Sequence, residues 1–227
     1  MGTEPKQWLA SEVLRYSILK RTKADLDFQE LKYLPIKLNI PMYTGFSIYR
    51  YAIPELCNFQ GKAIYLDADI VVASDLLDLW NLSGKPALAR SMRQGEAEAG
   101  RYTSVMLLDC EKLTHWKLGE WIEKINQENS LYGKTMQALP GGLGTEDFGD
   151  LPEYFNHLDY FDETTKLIHY THVPSQPWKA PGHPHARIFL DELKSAIEED
   201  EIPLDAVMRE ISYGHIYPTI LEDIQLN

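Results

Sequence analysis

The sequence predicts an α/β protein, with helices and strands alternating around one sheet. Three observations predict it. Amphipathic stretches at helical spacing alternate with short β-branched runs bounded by turn residues. The 227 residues are enough for one large core. There is no internal repeat and no low-complexity block to suggest a solenoid or a disordered chain.

Trp8, Leu9, Val13, Leu14, Ile18 and Leu19 recur at helical spacing among polar residues and predict a helix over 6–21. Only four residues precede Pro5, so a strand before that helix is short or missing. Residues 34–40 read as a strand. Residues 47–57 read as a helix capped by Ser47 and ended or kinked by Pro54. A central strand is expected over 63–66, followed by extended chain over 70–72 and a short helix through Trp80 capped by Ser74-Asp75. Residues 87–89 and 104–108 are two more apolar strands, and 111–126 is helical by pattern. Gly133 and Pro140-Gly141-Gly142-Leu143-Gly144 mark a loop ending near Pro152, and 166–169 is a last short strand. Past the Pro-rich stretch from Pro174, helices are expected over 187–199 and 203–212. Phe189, Leu190, Leu193 and Ile197 stripe the first of them. The domain reading is one domain over 1–180 with a helical extension over 181–227 packed on it.

The net charge of −12 argues against nucleic acid or an anionic membrane as a partner, since both demand basic patches. Cys57 and Cys110 read as structural thiols, which fits a reducing, cytoplasmic setting. No apolar run is long enough for a transmembrane segment, and no signal-peptide pattern opens the chain.

In Ala63-Ile64-Tyr65-Leu66-Asp67-Ala68-Asp69-Ile70-Val71-Val72, two carboxylates one residue apart interrupt a buried apolar run. Ionised carboxylates there cost on the order of several kcal/mol unless a cation or donors offset them. A turn after the strand lets both converge, and hard oxygen ligands suit Mg²⁺ or Mn²⁺. The plainer alternative is a turn in which both aspartates cap backbone N–H groups.

Phe46-Ser-Ile-Tyr-Arg50-Tyr-Ala-Ile-Pro-Glu-Leu56, the Asp67-Ala-Asp69 strand, Asp75-Leu-Leu-Asp78-Leu-Trp80, Ser104-Val-Met-Leu-Leu-Asp109-Cys-Glu-Lys-Leu113 and His169-Tyr-Thr-His-Val-Pro-Ser-Gln176-Pro-Trp178 stand in one order. That ordered set resembles glycosyltransferase family 8, the family of glycogenin and of bacterial lipopolysaccharide galactosyl- and glucosyltransferases. The likeness covers roughly residues 2 to 180. It implies a GT-A fold with a mixed sheet flanked by helices. It also implies a nucleotide-diphosphate sugar donor, UDP-sugar above all, and Mn²⁺ or Mg²⁺. The implied reaction is hexose transfer, with retention, to a glycan, lipid-linked or protein acceptor.

The resemblance makes Asp67, Asp69 and His169 the metal ligands, with His172 the second choice for the third and a satisfied strand-end histidine the alternative for His169. It places Thr3, Glu4, Arg50, Ala68 and Ser104 around the donor. An ion pair with Glu55 or Asp27 is the other reading of Arg50. The family pattern is His, two residues, Gly, two residues, Lys-Pro-Trp. Here the gap from His169 to Trp178 is one residue longer, and Gln176 stands where the phosphate-binding Lys would be. Lys179 could take over that contact. The family's Asp-Gln pair near the reacting carbon has no clear counterpart, and Glu146-Asp147 is the nearest acidic pair.

His183-Pro-His185 reads as part of a surface loop, since no Cys-x-x-Cys accompanies it to make a zinc site. Two rival functions fit some of these residues. Asp67-Ala-Asp69-Ile-Val71 also matches the Asp-x-Asp-x-Val of haloacid-dehalogenase-type phosphatases, which place it on the first strand. A catalytically degenerate nucleotide-sugar-binding protein would account for the lost Lys and the missing Asp-Gln pair.

Overall fold

A computed structural model of the chain describes residues 1–93, Glu96 and 98–226. The helices are α1 (Trp8–Arg21), α2 (Ile53–Leu56), α3 (Leu77–Trp80), α4 (Leu118–Gln127), α5 (Ser130–Met136), α6 (Ala186–Glu198), α7 (Leu204–Ser212) and α8 (Ile220–Asp223). The strands are β1 (Lys62–Leu66), β2 (Ile70–Val72), β3 (Ala87–Ser91), β4 (Arg101–Asp109), β5 (Phe148–Asp150), β6 (His157–Leu158) and β7 (Leu167–His169). The mixed α/β class is as expected, but the single sheet is two, ordered β1-β4-β3-β5 and β2-β7-β6. Each belongs to its own unit. The first unit comprises Met1–Glu4, Asp27–Asp67 and Leu79–Phe155, the second Pro5–Leu26, Ala68–Asp78 and Asn156–Asn227.

In the first unit the nine-residue β4 is flanked by β1 and β3, both antiparallel to it, and β5 runs parallel to β3. β1, expected to be central, is an edge strand of this sheet. Its burial climbs from exposed Lys62 to fully buried Tyr65, so only its C-terminal end has the surroundings of a central strand. Beyond it, where the short first strand was expected, lies Gly2, bridged in parallel to both Asp67 and Leu31, with its N–H donating to Leu66 O at 3.0 Å. A Cβ on Gly2 would lie 2.7 Å from Phe46 Cε2 and against the Tyr65 hydroxyl, which is why no side chain stands there.

Three of the local expectations that change have a clear physical reason. Residues 34–40 alternate as a strand would, and Leu34, Ile36, Leu38 and Ile40 pack on the core, yet they join no ladder. Pro35 lacks an N–H, and Asn126 serves the backbone instead, accepting from Asn39 N at 2.7 Å and donating to Lys37 O at 3.0 Å. Pro54 does not break its helix. It sits in the first turn of α2, where a 3-10 segment (Ser47–Ala52) passes into α-helix and the missing N–H is harmless. The helix expected over 111–126 is interrupted before Leu118, because Trp116 turns fully inward. There it meets Tyr51 and Trp121 at 5.3 Å and Phe148 at 5.6 Å between ring centroids.

In the second unit β2 pairs antiparallel with β7, and β6 is parallel to β7. α1 lies on β2 and is tied to it by Ser17, whose Oγ accepts from Val72 N at 3.0 Å and donates to Leu14 O at 2.8 Å. α6 packs on α1, where buried Glu192 meets Lys20 at 3.3 Å and Arg21 at 2.5 Å. Tyr170, Trp178 and Phe189 fill the core between β7 and α6. No described helix is long and apolar enough to cross a membrane.

Gly144 holds φ at +69°, and a Cβ there would lie 2.6 Å from Trp121 Cη2 and 2.8 Å from Trp116 Nε1. The strained backbone and the overpacked rings act together. Gly144→Ala should lower stability by about 2–4 kcal/mol in urea denaturation.

Candidate active site

β1 delivers Asp67 at its C-terminal end and β2 begins at Ile70, so Ala68 and Asp69 form the turn anticipated between them. The two carboxylates are separated along the chain only by buried Ala68.

Within the first unit, the Asp67 N–H donates to Ser104 O at 2.9 Å, which anchors the strand end on β4. Its carboxylate takes Arg50 Nη2 at 3.1 Å and the Tyr65 hydroxyl. Arg50 is buried and fully engaged. Nη1 donates to Thr103 Oγ1 at 3.1 Å, Nε donates to Ser47 O at 2.8 Å, and the guanidinium lies 4.6 Å from the centre of the Tyr65 ring. Burial pulls its pKa down, but the Asp67 charge, with Tyr65 and Tyr51, outweighs that and raises it above the ordinary arginine value. Asp67 is therefore its ion-pair partner. Glu55 accepts from Leu118 N, and Asp27 accepts from Gln29.

Within the second unit, Asp69 Oδ2 accepts from Gln176 Nε2 at 3.0 Å, while Oδ1 lies 3.1 Å from His169 Nε2. Among the described residues, no hydrogen bond reaches buried Oδ1 even so. His169 is the last residue of β7, paired with Ile70 on β2, so the ladder sets it beside the turn. Its Nδ1 lies 3.2 Å from Oδ1 of fully buried Asn156. Asn156, Thr103 and Tyr65 are parts of this arrangement that the motif reading missed, because an isolated buried polar residue leaves no spacing pattern.

Thr3 and Ser104 are buried in the first unit, and Glu4 is half-buried beside Thr3. Lys179 is exposed, and so is His172, whose Nδ1 meets Ser175 Oγ at 2.7 Å. His183 does not lie on a surface loop as expected. It is buried against Tyr170, with Nε2 3.2 Å from Asp159 Oδ1, and hydrogen bonds from Thr171 and His183 carry the Asp159 pKa below the usual carboxylate value despite its burial.

Glu146 and Asp147 are not brought to Asp67. Phe148 is level with Ala87, Leu108 and Ala63, so the residues before it lie at the end of the sheet where β1 begins. Asp67 lies at the other end. Asp147 Oδ2 accepts from Trp116 Nε1 at 2.7 Å and meets His115 Nε2 at 2.7 Å, while Glu146 is exposed.

The family model of glycosyl transferase family 8 matches residues 8–132, more than half of the chain. The chain belongs to glycosyltransferase family 8. Among solved structures, it is similar to the galactosyltransferase LgtC, solved with donor and acceptor sugar analogues. That likeness is 17% in identity with a TM-score of 0.65 over 86% of this chain and 94% of that one. The glycosyltransferase GlyE of Streptococcus pneumoniae TIGR4, in its apo form, is 17% identical with a TM-score of 0.66. Here 96% of this chain is covered but only 63% of GlyE. The bifunctional glycosyltransferase WbbM is 12% identical with a TM-score of 0.64, over 85% of this chain and 48% of that one. No curated protein matches. The family 8 chain is thus a glycosyltransferase of GT-A fold, and the phosphatase alternative falls away with that membership.

Removing one member of a buried ion pair strands the other. Arg50→Met should cost about 2–4 kcal/mol in urea denaturation, and adding Asp67→Asn should recover part of that loss.

Proposed function

We propose that this chain transfers a hexose from a nucleotide-diphosphate sugar, a UDP-sugar, to an acceptor with retention at the anomeric carbon, using a divalent cation, Mn²⁺ or Mg²⁺, held by Asp67, Asp69 and His169. One observation carries the reading. Asp69 Oδ1 is buried without a hydrogen bond, 3.1 Å from an imidazole nitrogen and two residues from a second carboxylate. A buried anionic oxygen without a donor costs on the order of 1–3 kcal/mol or more, and a cation offsets that cost. Two carboxylates and an imidazole suit Mn²⁺, and the 3.1 Å spacing is that of neighbouring ligands about an octahedral ion at roughly 2.1 Å. Among the described residues, these three offer a metal one ligand atom each.

When bound, the cation supplies Lewis acidity that steadies charge on the leaving diphosphate. The chain's own residues do the rest. Arg50, buried and always charged, pairs with Asp67 and orients its carboxylate. His169 serves as a neutral imidazole. Gln176 cannot neutralise phosphate, so in a chain of net charge −12 that task passes to exposed Lys179. Thr3, Glu4, Ala68 and Ser104 complete the donor side. Glu146 and Asp147, at the far end of their sheet, receive no role in breaking the glycosidic bond. That placement favours one second reading, a nucleotide-sugar binder without turnover.

Calorimetric titration with UDP and GDP, each with and without Mn²⁺, followed by a scan of sugar donors, tests both. UDP binding that requires Mn²⁺, with release of UDP from a sugar donor, is expected. Binding without release would favour the second reading, and no binding of either nucleotide would overturn the proposal. Asp69→Asn should weaken Mn²⁺-dependent UDP binding at least tenfold, on the order of 1.4 kcal/mol or more, with an unchanged circular dichroism spectrum.

A further inference from the structure

We infer that Asn156 and Gln176 are positioning residues that aim His169 and Asp69 at the cation; the inference rests on the metal reading above. Both amides are buried, Asn156 fully and Gln176 at 1% exposure, so each hydrogen bond they make is sheltered from water.

The Gln176 amide has only one workable orientation. Its Nε2 faces two acceptors, Asp69 Oδ2 at 3.0 Å and Tyr170 O at 2.8 Å, and turning the amide over would set oxygen against oxygen. Engaging Oδ2 restrains the carboxylate and leaves Oδ1 as the oxygen without a hydrogen bond. A lysine here, as in the family pattern, would bring a charge of its own beside Asp69. The neutral amide orients the carboxylate and leaves its charge for the metal.

Asn156 does the corresponding work on the imidazole. With Asn156 Oδ1 3.2 Å from His169 Nδ1, the ring proton belongs on Nδ1 and Nε2 carries the lone pair. Although Nε2 is 3.1 Å from Asp69 Oδ1, an N–H on that atom would not be aligned with the oxygen, which stays without a hydrogen bond. The lone pair lies along the same direction, so it points past Oδ1. That is how two ligands of one ion stand to each other, and a hydrogen-bonded pair would be aligned instead.

Mn²⁺ alone, titrated into the full chain and followed by the electron paramagnetic resonance of the free ion, tests the inference without turnover. Asn156→Ala and Gln176→Leu should each weaken Mn²⁺ binding about 10- to 100-fold, and Asn156→Asp, which keeps an acceptor toward Nδ1, should restore it. Gln176→Asn, whose amide falls one methylene short, should lose as much as Gln176→Leu and serves if the latter does not fold. Nitrogen-15 spectra of the wild-type histidines give a measurement that needs no variant: His169 protonated on Nδ1 is expected, and protonation on Nε2 overturns the role of Asn156. Wild-type Mn²⁺ affinity in the amide variants, with binding lost in His169→Ala, would overturn the positioning roles and leave the metal site standing. No Mn²⁺ binding by the wild type would overturn both.

Discussion

The arrangement of the site depends on where the chain puts the carboxylate of Asp67. It ends an edge strand whose last residues are buried, where an anion without a partner would be costly. The fold answers with a guanidinium drawn into the interior and then spends that guanidinium's other donors on Ser47 and Thr103. One ion pair thus ties the 3-10 segment that carries Arg50 to the end of β1 and to β4, and it fixes the first of two carboxylates before any ligand arrives.

The second carboxylate is handled in the opposite way. Among the described residues, no arginine pairs with Asp69. It has a neutral amide on one oxygen and an imidazole beside the other, with that other oxygen left without a hydrogen bond. The contrast divides the labour. Asp67 is ion-paired within the protein, whereas Asp69 is oriented by a neutral amide, so the proposal of a cation rests chiefly on Asp69.

Much of the site was legible because its chemistry is written as spacing. Two aspartates one residue apart at the end of an apolar run are a pattern, whereas His169 was pointed out only by the family likeness, and the ladder between β2 and β7 sets it beside the second aspartate. The family likeness was legible for the same reason, as blocks in a fixed order. What was not legible has no period. Asn156 is one amide in an irregular segment, and Thr103 matters only because β4 brings it under Arg50. The fold shows the same division. A period of two says which face of 34–40 is buried, but it does not say whether a partner strand exists, and the sheet split in two because pairing is decided by distant segments. The acidic pair Glu146-Asp147 stands in the same loop-rich stretch of sequence as a catalytic pair would, yet strand register carries it to the other end of the sheet, where Asp147 serves the Trp116 indole.

Gly2 belongs to no strand or helix, and by sequence alone it would pass for a place where mutations drift freely. Its missing side chain instead leaves room for the Tyr65 hydroxyl and the Phe46 ring, and that hydroxyl rests on Asp67. Almost any replacement there would push the tyrosine from the carboxylate. The size limit at Gly2 thus follows from the hydroxyl that serves Asp67, and packing carries the demands of that carboxylate to a residue with no side chain of its own.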